Sequence, residues 1–196
     1  MRCDVKFAIC NEMYQNWSFA DVCKDVADAG YAGLEIAPFT LNEDPSKLTE
    51  SEVTKLRRIA DETGLAITAF HWLLAKPAGL HLTTPDYAVR QRTTEFMPHL
   101  ARLCAAMGGK VMVLGSPKQR DLMEGVWFHD AFARAVEVCR AVCEVAGPLG
   151  VTLAIEPLGP VETNFLQSTA EGVALIEAVD HPACRLHLDV KAMCQA

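Results

Sequence analysis

Apolar and polar positions alternate along the chain in two periods. Short runs rich in β-branched residues, with side chains alternating at every second position, are followed by longer stretches of helical period. The short runs predict six strands, at Val5–Cys10, Gly33–Ala37, Leu65–Phe70, Lys110–Leu114, Val151–Ile155 and Cys184–Leu188. Between them the pattern predicts helices over 18–29, 49–63, 85–107, 127–146 and 168–179. Ser18 is placed to cap the first helix and Gly30 to end it, and Gly64 closes the second. Pro98 falls inside the third predicted helix and is expected to bend it or split it in two.

Strands separated by helices imply right-handed crossovers and a parallel sheet, either open and doubly wound or closing as a (β/α) barrel. An open nucleotide-binding sheet commonly carries a glycine-rich turn after its first strand. Here that turn reads CNEMYQN, residues 10–16, with neither GxGxxG nor GxxxxGK[ST]. Polar or reactive residues instead recur at nearly every strand end: Glu12, His71, Ser116, Glu156 and Asp189, with Glu35 just inside strand two. That distribution suits the mouth of a TIM-type barrel.

Alternation inside the strands agrees. Val151, Leu153 and Ile155 oppose Thr152, Ala154 and Glu156, while Leu186 and Leu188 oppose Arg185, His187 and Asp189. The bulky apolar sets are expected under the helices and the other sets toward the interior. Six units of about 36 residues fall short of the roughly 280 that eight such units would take. The expectation is therefore one α/β, TIM-barrel-type domain over residues 1–196 that lacks the last two or so βα units. Strands one and six would be open edges, which leaves room for a homo-oligomer.

Composition narrows the partners. A 51% hydrophobic chain of 196 residues can bury one sizeable core. A net charge of −7 supplies no basic excess for nucleic acid or an anionic membrane, so a small molecule is the expected partner. The charged start at Arg2, Asp4 and Lys6 lacks a secretory pattern, and no apolar run is long enough to span a bilayer. Eight cysteines are scattered singly, most of them among Ala, Val and Leu, the usage of buried thiols in a reducing cytoplasm. Cys139 and Cys143 share a helix face and are expected to pack in the core rather than hold a metal.

Glu156 and Asp189 end neighbouring predicted strands on the interior-facing set. Two converging carboxylates either repel, which raises one pKa, or share a divalent cation. Hard oxygen donors with a histidine nearby suit Mn²⁺, Mg²⁺ or Co²⁺, with Zn²⁺ as an alternative. His71 and Trp72 form either a sugar-facing pair or a loop anchor. His187 either orients Asp189 from behind or is a satisfied core histidine. Ser116, Lys118 and Arg120 could hold a phosphate, though solvated charge is the expected reading; Glu12 and Glu35 could line the site, with one of them pairing with Arg185.

These residues also carry a family resemblance. AIEPLGPVETNFL (154–166) followed by LHLDVKAM (186–193), with GYAGLEIAPF (30–39) and FHWLL (70–74), resembles the sugar phosphate isomerase/epimerase family with a xylose isomerase-like barrel, which includes ketose 3-epimerases. The resemblance implies a metal held by glutamate, aspartate, histidine and glutamate at the ends of strands five to eight. The first two fall on Glu156 and Asp189, and the others have no counterpart in these 196 residues. It further implies proton abstraction beside a carbonyl to give an enediolate, with Glu156 as metal ligand and acid/base and Glu162 on substrate hydroxyls. Ketose 3-epimerases often follow the aspartate with a TxH-type turn whose histidine binds substrate, whereas Ala192 stands in that place here. Lys191 could contact an anionic substrate or stay solvated. Two other classes stay open: a metal-dependent phosphodiester hydrolase of the endonuclease IV type, disfavoured by the acidic balance, and a non-catalytic barrel fragment.

Overall fold

A computed structural model describes residues 5–195; Arg2, Cys3 and Asp4 lie outside the described residues. Six parallel strands form a single sheet: β1 (Ala8–Cys10), β2 (Gly33–Ile36), β3 (Ala66–His71), β4 (Val111–Leu114), β5 (Thr152–Ile155) and β6 (Cys184–Leu186). Their spatial order follows their order in the chain. Each strand pairs with the next through a helical crossover, so the winding never reverses. A doubly wound sheet needs a reversal to create its switch point. The architecture is therefore of the TIM-barrel type, and among the described residues β1 and β6 each have one strand neighbour.

The crossovers are α1 (Phe19–Asp28), α2 (Glu50–Glu62), α3 (Tyr87–Met107), α4 (Phe128–Ala146) and α5 (Thr169–Val179), followed by a four-residue α6 (Val190–Met193) that the hydrophobic pattern did not predict. Ser18 Oγ accepts the Asp21 amide to start α1, and Thr49 and Glu52 close a reciprocal capping box on α2. α3 runs unbroken through Pro98, so of the two expected outcomes, a bend or a split, the split does not occur. Phe96, Met97, Pro98, Leu100 and Ala101 are all buried there, and this packing outweighs the backbone hydrogen bond that proline cannot make. No helix among the described residues is long and apolar enough to cross a membrane.

The core lies between the helices and the outer face of the sheet. Val151, Leu153 and Ile155 are buried under the helices, as alternation requires. On α4, Ala131 and Ala135 face inward with Cys139 and Cys143, so small side chains let the helix approach the sheet closely; both thiols are buried and free. At Gly33 a Cβ would lie 2.8 Å from the Ala66 carbonyl and 2.9 Å from Thr68 Cγ2, so only glycine fits beside the irregular register of β2 and β3. Thr68 is the additional residue on β3 at that point, and its hydroxyl donates to the Leu34 carbonyl.

Candidate active site

The carboxyl ends of the strands open onto a cleft of about 560 Å³. Glu156, Asp189, Glu162, His71, Trp72 and His187 all line it, together with Cys10, Glu12, Glu35 and Lys191. Residues more than 170 positions apart thus meet because each leaves the sheet at the same edge.

On the β5–β6 side, Glu156 follows the last residue of β5 and is largely shielded from water. Burial raises its pKa; His187, Arg120 and His71 pull it down, and Asp189 pushes it up. Its Oε1 lies 3.7 Å from His187 Nε2. The backbone packs so tightly around this carboxylate that a Cβ on Gly115 would collide with Glu156 Oε2. Asp189 caps α6, with Oδ1 accepting the Ala192 amide at 2.7 Å. His187, considered as a group orienting Asp189, instead faces Glu156. Glu162 Oε1 pairs with Lys191 Nζ at 2.8 Å, while its Oε2 is buried without a partner among the described residues. Lys191 is therefore engaged by a neighbouring acid rather than simply solvated.

Beneath Glu156 sits Arg120, expected from the sequence to be solvated or to hold a phosphate. It is fully buried. Its Nη1 donates to the Glu156 carbonyl at 2.7 Å and to the Leu114 carbonyl at 3.4 Å, tying the ends of β5 and β4 together. Nε and Nη2 have no hydrogen-bond partner among the described residues. Burial pushes its pKa down to about 10, with Glu156 pulling the other way, so the guanidinium stays charged at neutral pH. Ser116 is also buried, its Oγ accepting the Leu74 amide at 3.0 Å, while Lys118 points to solvent. The trio makes no phosphate site. No sequence signal marked Arg120, because its partners are backbone carbonyls.

On the β1–β3 side, His71 ends β3 between two carboxylates. Nε2 lies 3.2 Å from Glu12 Oε2 and 3.2 Å from Cys10 Sγ, and Nδ1 lies 3.2 Å from Glu35 Oε2. Burial opposes charge on His71, but the Cys10 and Glu35 contacts outweigh it and push its pKa up to about 11. The expected pairing of Glu12 or Glu35 with Arg185 does not form; Arg185 turns to the Cys184 carbonyl. Trp72 holds φ at +53°, an unusual backbone for a bulky residue, and packs edge-to-face on Phe39 at 5.6 Å. That turn leaves its ring exposed at the cleft wall.

Residues 23–196 match the family model described as the xylose isomerase-like TIM barrel. The chain belongs to that family. It is 28% identical over 180 residues to a D-psicose 3-epimerase from Agrobacterium fabrum, an alignment spanning 88% of this chain and 59% of the relative. Among solved structures, an L-ribulose 3-epimerase superposes with a TM-score of 0.79 at 26% identity, over 97% of this chain and 62% of that one. A 3-keto-D-glucoside 4-epimerase from E. coli superposes at 0.81 with 15% identity, over 97% and 70% of the two chains, a likeness of fold. The chain thus spans about three fifths of the length of the epimerases it matches at 26–28% identity.

Proposed function

We propose that the protein is a metal-dependent sugar isomerase or epimerase that abstracts a proton beside a carbonyl and passes through an enediolate. The observation that carries this reading is the Glu156–Asp189 pair, two carboxylates at adjacent strand ends in one cleft, in a chain similar to proteins named as ketose 3-epimerases. The donors suit a divalent cation. Asp189 spends one oxygen on the Ala192 amide and keeps the other, and burial with the Asp189 charge leaves the Glu156 pKa raised even beside His187 and Arg120, so a further cation there would favour its ionised form. Oxygen donors favour Mn²⁺, Mg²⁺ or Co²⁺. Such an ion, once bound, would polarise the substrate carbonyl as a Lewis acid.

The chain's own residues have these roles in the proposal. Glu156 takes the proton from the carbon beside the carbonyl as the general base. Glu162 directs its partnerless Oε2 to a substrate hydroxyl. Trp72 offers an apolar face to the sugar ring, and His71 and His187 supply polar contacts on opposite sides of the cleft. Five carboxylates line this space, and its lysine is already paired with one of them. That balance favours an uncharged sugar over a sugar phosphate.

Calorimetric titration with Mn²⁺ tests the metal. One equivalent is expected to bind, about tenfold or more weaker in Glu156→Gln and Asp189→Asn, in line with loss of a ligand or its support. D-Psicose is expected to tighten Mn²⁺ binding, and Mn²⁺ to tighten psicose binding by the same factor. Deuterium incorporated into the sugar from deuterated water must depend on Glu156. Absence of Mn²⁺ binding, or incorporation unchanged in Glu156→Gln, would overturn the proposal.

A further inference from the structure

The β1–β3 side of the cleft carries a second donor set, independent of the epimerase reading. Cys10 Sγ, Glu12 and His71 present one ligand atom each, all within 4.8 Å of one another. The spacing is informative. Donors bonded at 2.0–2.3 Å to one tetrahedral ion stand about 3.3–3.8 Å apart. His71 Nε2 is 3.2 Å from both Cys10 Sγ and Glu12 Oε2, within a few tenths of an ångström of that spacing, and the Cys10 and Glu12 donors lie within 4.8 Å of each other.

The surroundings support the same function. Glu35 Oε2 lies 3.2 Å from His71 Nδ1, though off the line of a good hydrogen bond, where a carboxylate would orient a metal-bound imidazole. The Glu12 amide donates to Cys10 Sγ at 3.3 Å, which fixes the sulfur's position beside His71. His71 is held in place, its side chain only 17% exposed. Three of these residues leave the sheet at β1 and β3 and the fourth lies on β2, so the sheet itself fixes their relative positions. Mixed sulfur, nitrogen and oxygen donors differ in kind from the all-carboxylate pair at Glu156 and Asp189, and they select Zn²⁺ or Co²⁺ over Mg²⁺.

We propose that Cys10, Glu12 and His71 form a binding site for a zinc-type cation, separate from Glu156 and Asp189, with its fourth position open to water or a substrate oxygen. Titrating metal-stripped protein with Co²⁺ tests it, because a cysteine ligand adds a sulfur-to-cobalt charge-transfer absorption in the near ultraviolet. With the Glu156–Asp189 site filled by excess Mg²⁺, one equivalent is expected to saturate that absorption, and Zn²⁺ to displace it. Cys10→Ser removes the band while keeping the size of the side chain. Glu12→Gln and His71→Gln weaken Co²⁺ binding by about tenfold or more. Cys194→Ser and Glu156→Gln leave the band in place, which separates this site from the exposed thiol and from the proposed epimerase metal. A wild-type protein without the absorption, a band that survives Cys10→Ser, or one that vanishes in Glu156→Gln overturns the proposal.

Discussion

Arg120 offers the sharpest test of how the cleft is built. Truncating it to alanine removes the 2.7 Å bond to the Glu156 carbonyl and empties a fully buried volume between β4 and β5. A hydrogen bond from a charged donor contributes about 1.5–3 kcal/mol, and large-to-small changes in a core cost about 2–5 kcal/mol. Against this stands relief: Nε and Nη2 are buried without partners, and each such group costs about 1–3 kcal/mol. The net expectation for Arg120→Ala is a loss of about 1.5–2 kcal/mol. Arg120→Met fills most of the space and removes both the bond and the unpaired donors, so it should fall within about 1.5 kcal/mol of wild type. Equilibrium unfolding in guanidinium chloride, with unchanged slope as the control for two-state behaviour, measures both. Both variants should also raise the Glu156 pKa further, since they remove one of the cations that favours its ionised form. The reasoning fails if alanine costs less than about 1 kcal/mol, or if methionine costs as much as alanine.

Two further outcomes follow from local geometry. Gly115→Ala drives a methyl group into the Glu156 carboxylate; Mn²⁺ affinity measured by calorimetry should drop about tenfold or more while thermal stability changes little, because the clash falls on a cleft side chain rather than on the core. Glu52 has its pKa lowered from 4.5, chiefly by the Thr49 hydroxyl and then by the Thr49 amide. A depressed carboxylate adds stability above its unfolded pKa and loses it as the pH falls through the folded value, so melting temperatures of wild type and Glu52→Gln should differ above pH 4.5 and converge below it.

The fold was legible because every crossover repeats the same two periods, and because polar strand ends without a glycine-rich turn argued for a barrel. Five predicted helices appear within two residues of their expected limits. Deviations occur where a local rule met a tertiary one. Pro98 is a helix breaker in isolation, yet it sits among buried residues of α3. β6 ends at Leu186 rather than Leu188, where the chain turns toward α6 and its Asp189 cap. Individual lining residues could be read from their places at strand ends, but their partners could not. Cys10 and His71 are 61 positions apart, and nothing short of the strand order places one sulfur against one imidazole. Arg120 was hidden for a different reason: its partners are carbonyls, which leave no trace in a side-chain pattern.

The two sides of the cleft differ in what they lack. On the β1–β3 side Glu12, Glu35 and Cys10 each lie 3.2 Å from His71, and His71 Nδ1 is the one group of the cluster buried without a hydrogen-bond partner among the described residues. On the β5–β6 side the acids are under-served: Glu156 has a histidine only at 3.7 Å, Asp189 commits one oxygen to a helix cap, and Glu162 buries an oxygen with no partner. A buried polar group left unmatched costs about 1–3 kcal/mol, and folding alone does not recover it here. A cation beside Glu156 and Asp189, with a hydroxyl reaching Glu162, would satisfy all three groups at once. The incomplete pairing of this side, more than the number of its acids, is what makes it the stronger candidate for binding metal and sugar together.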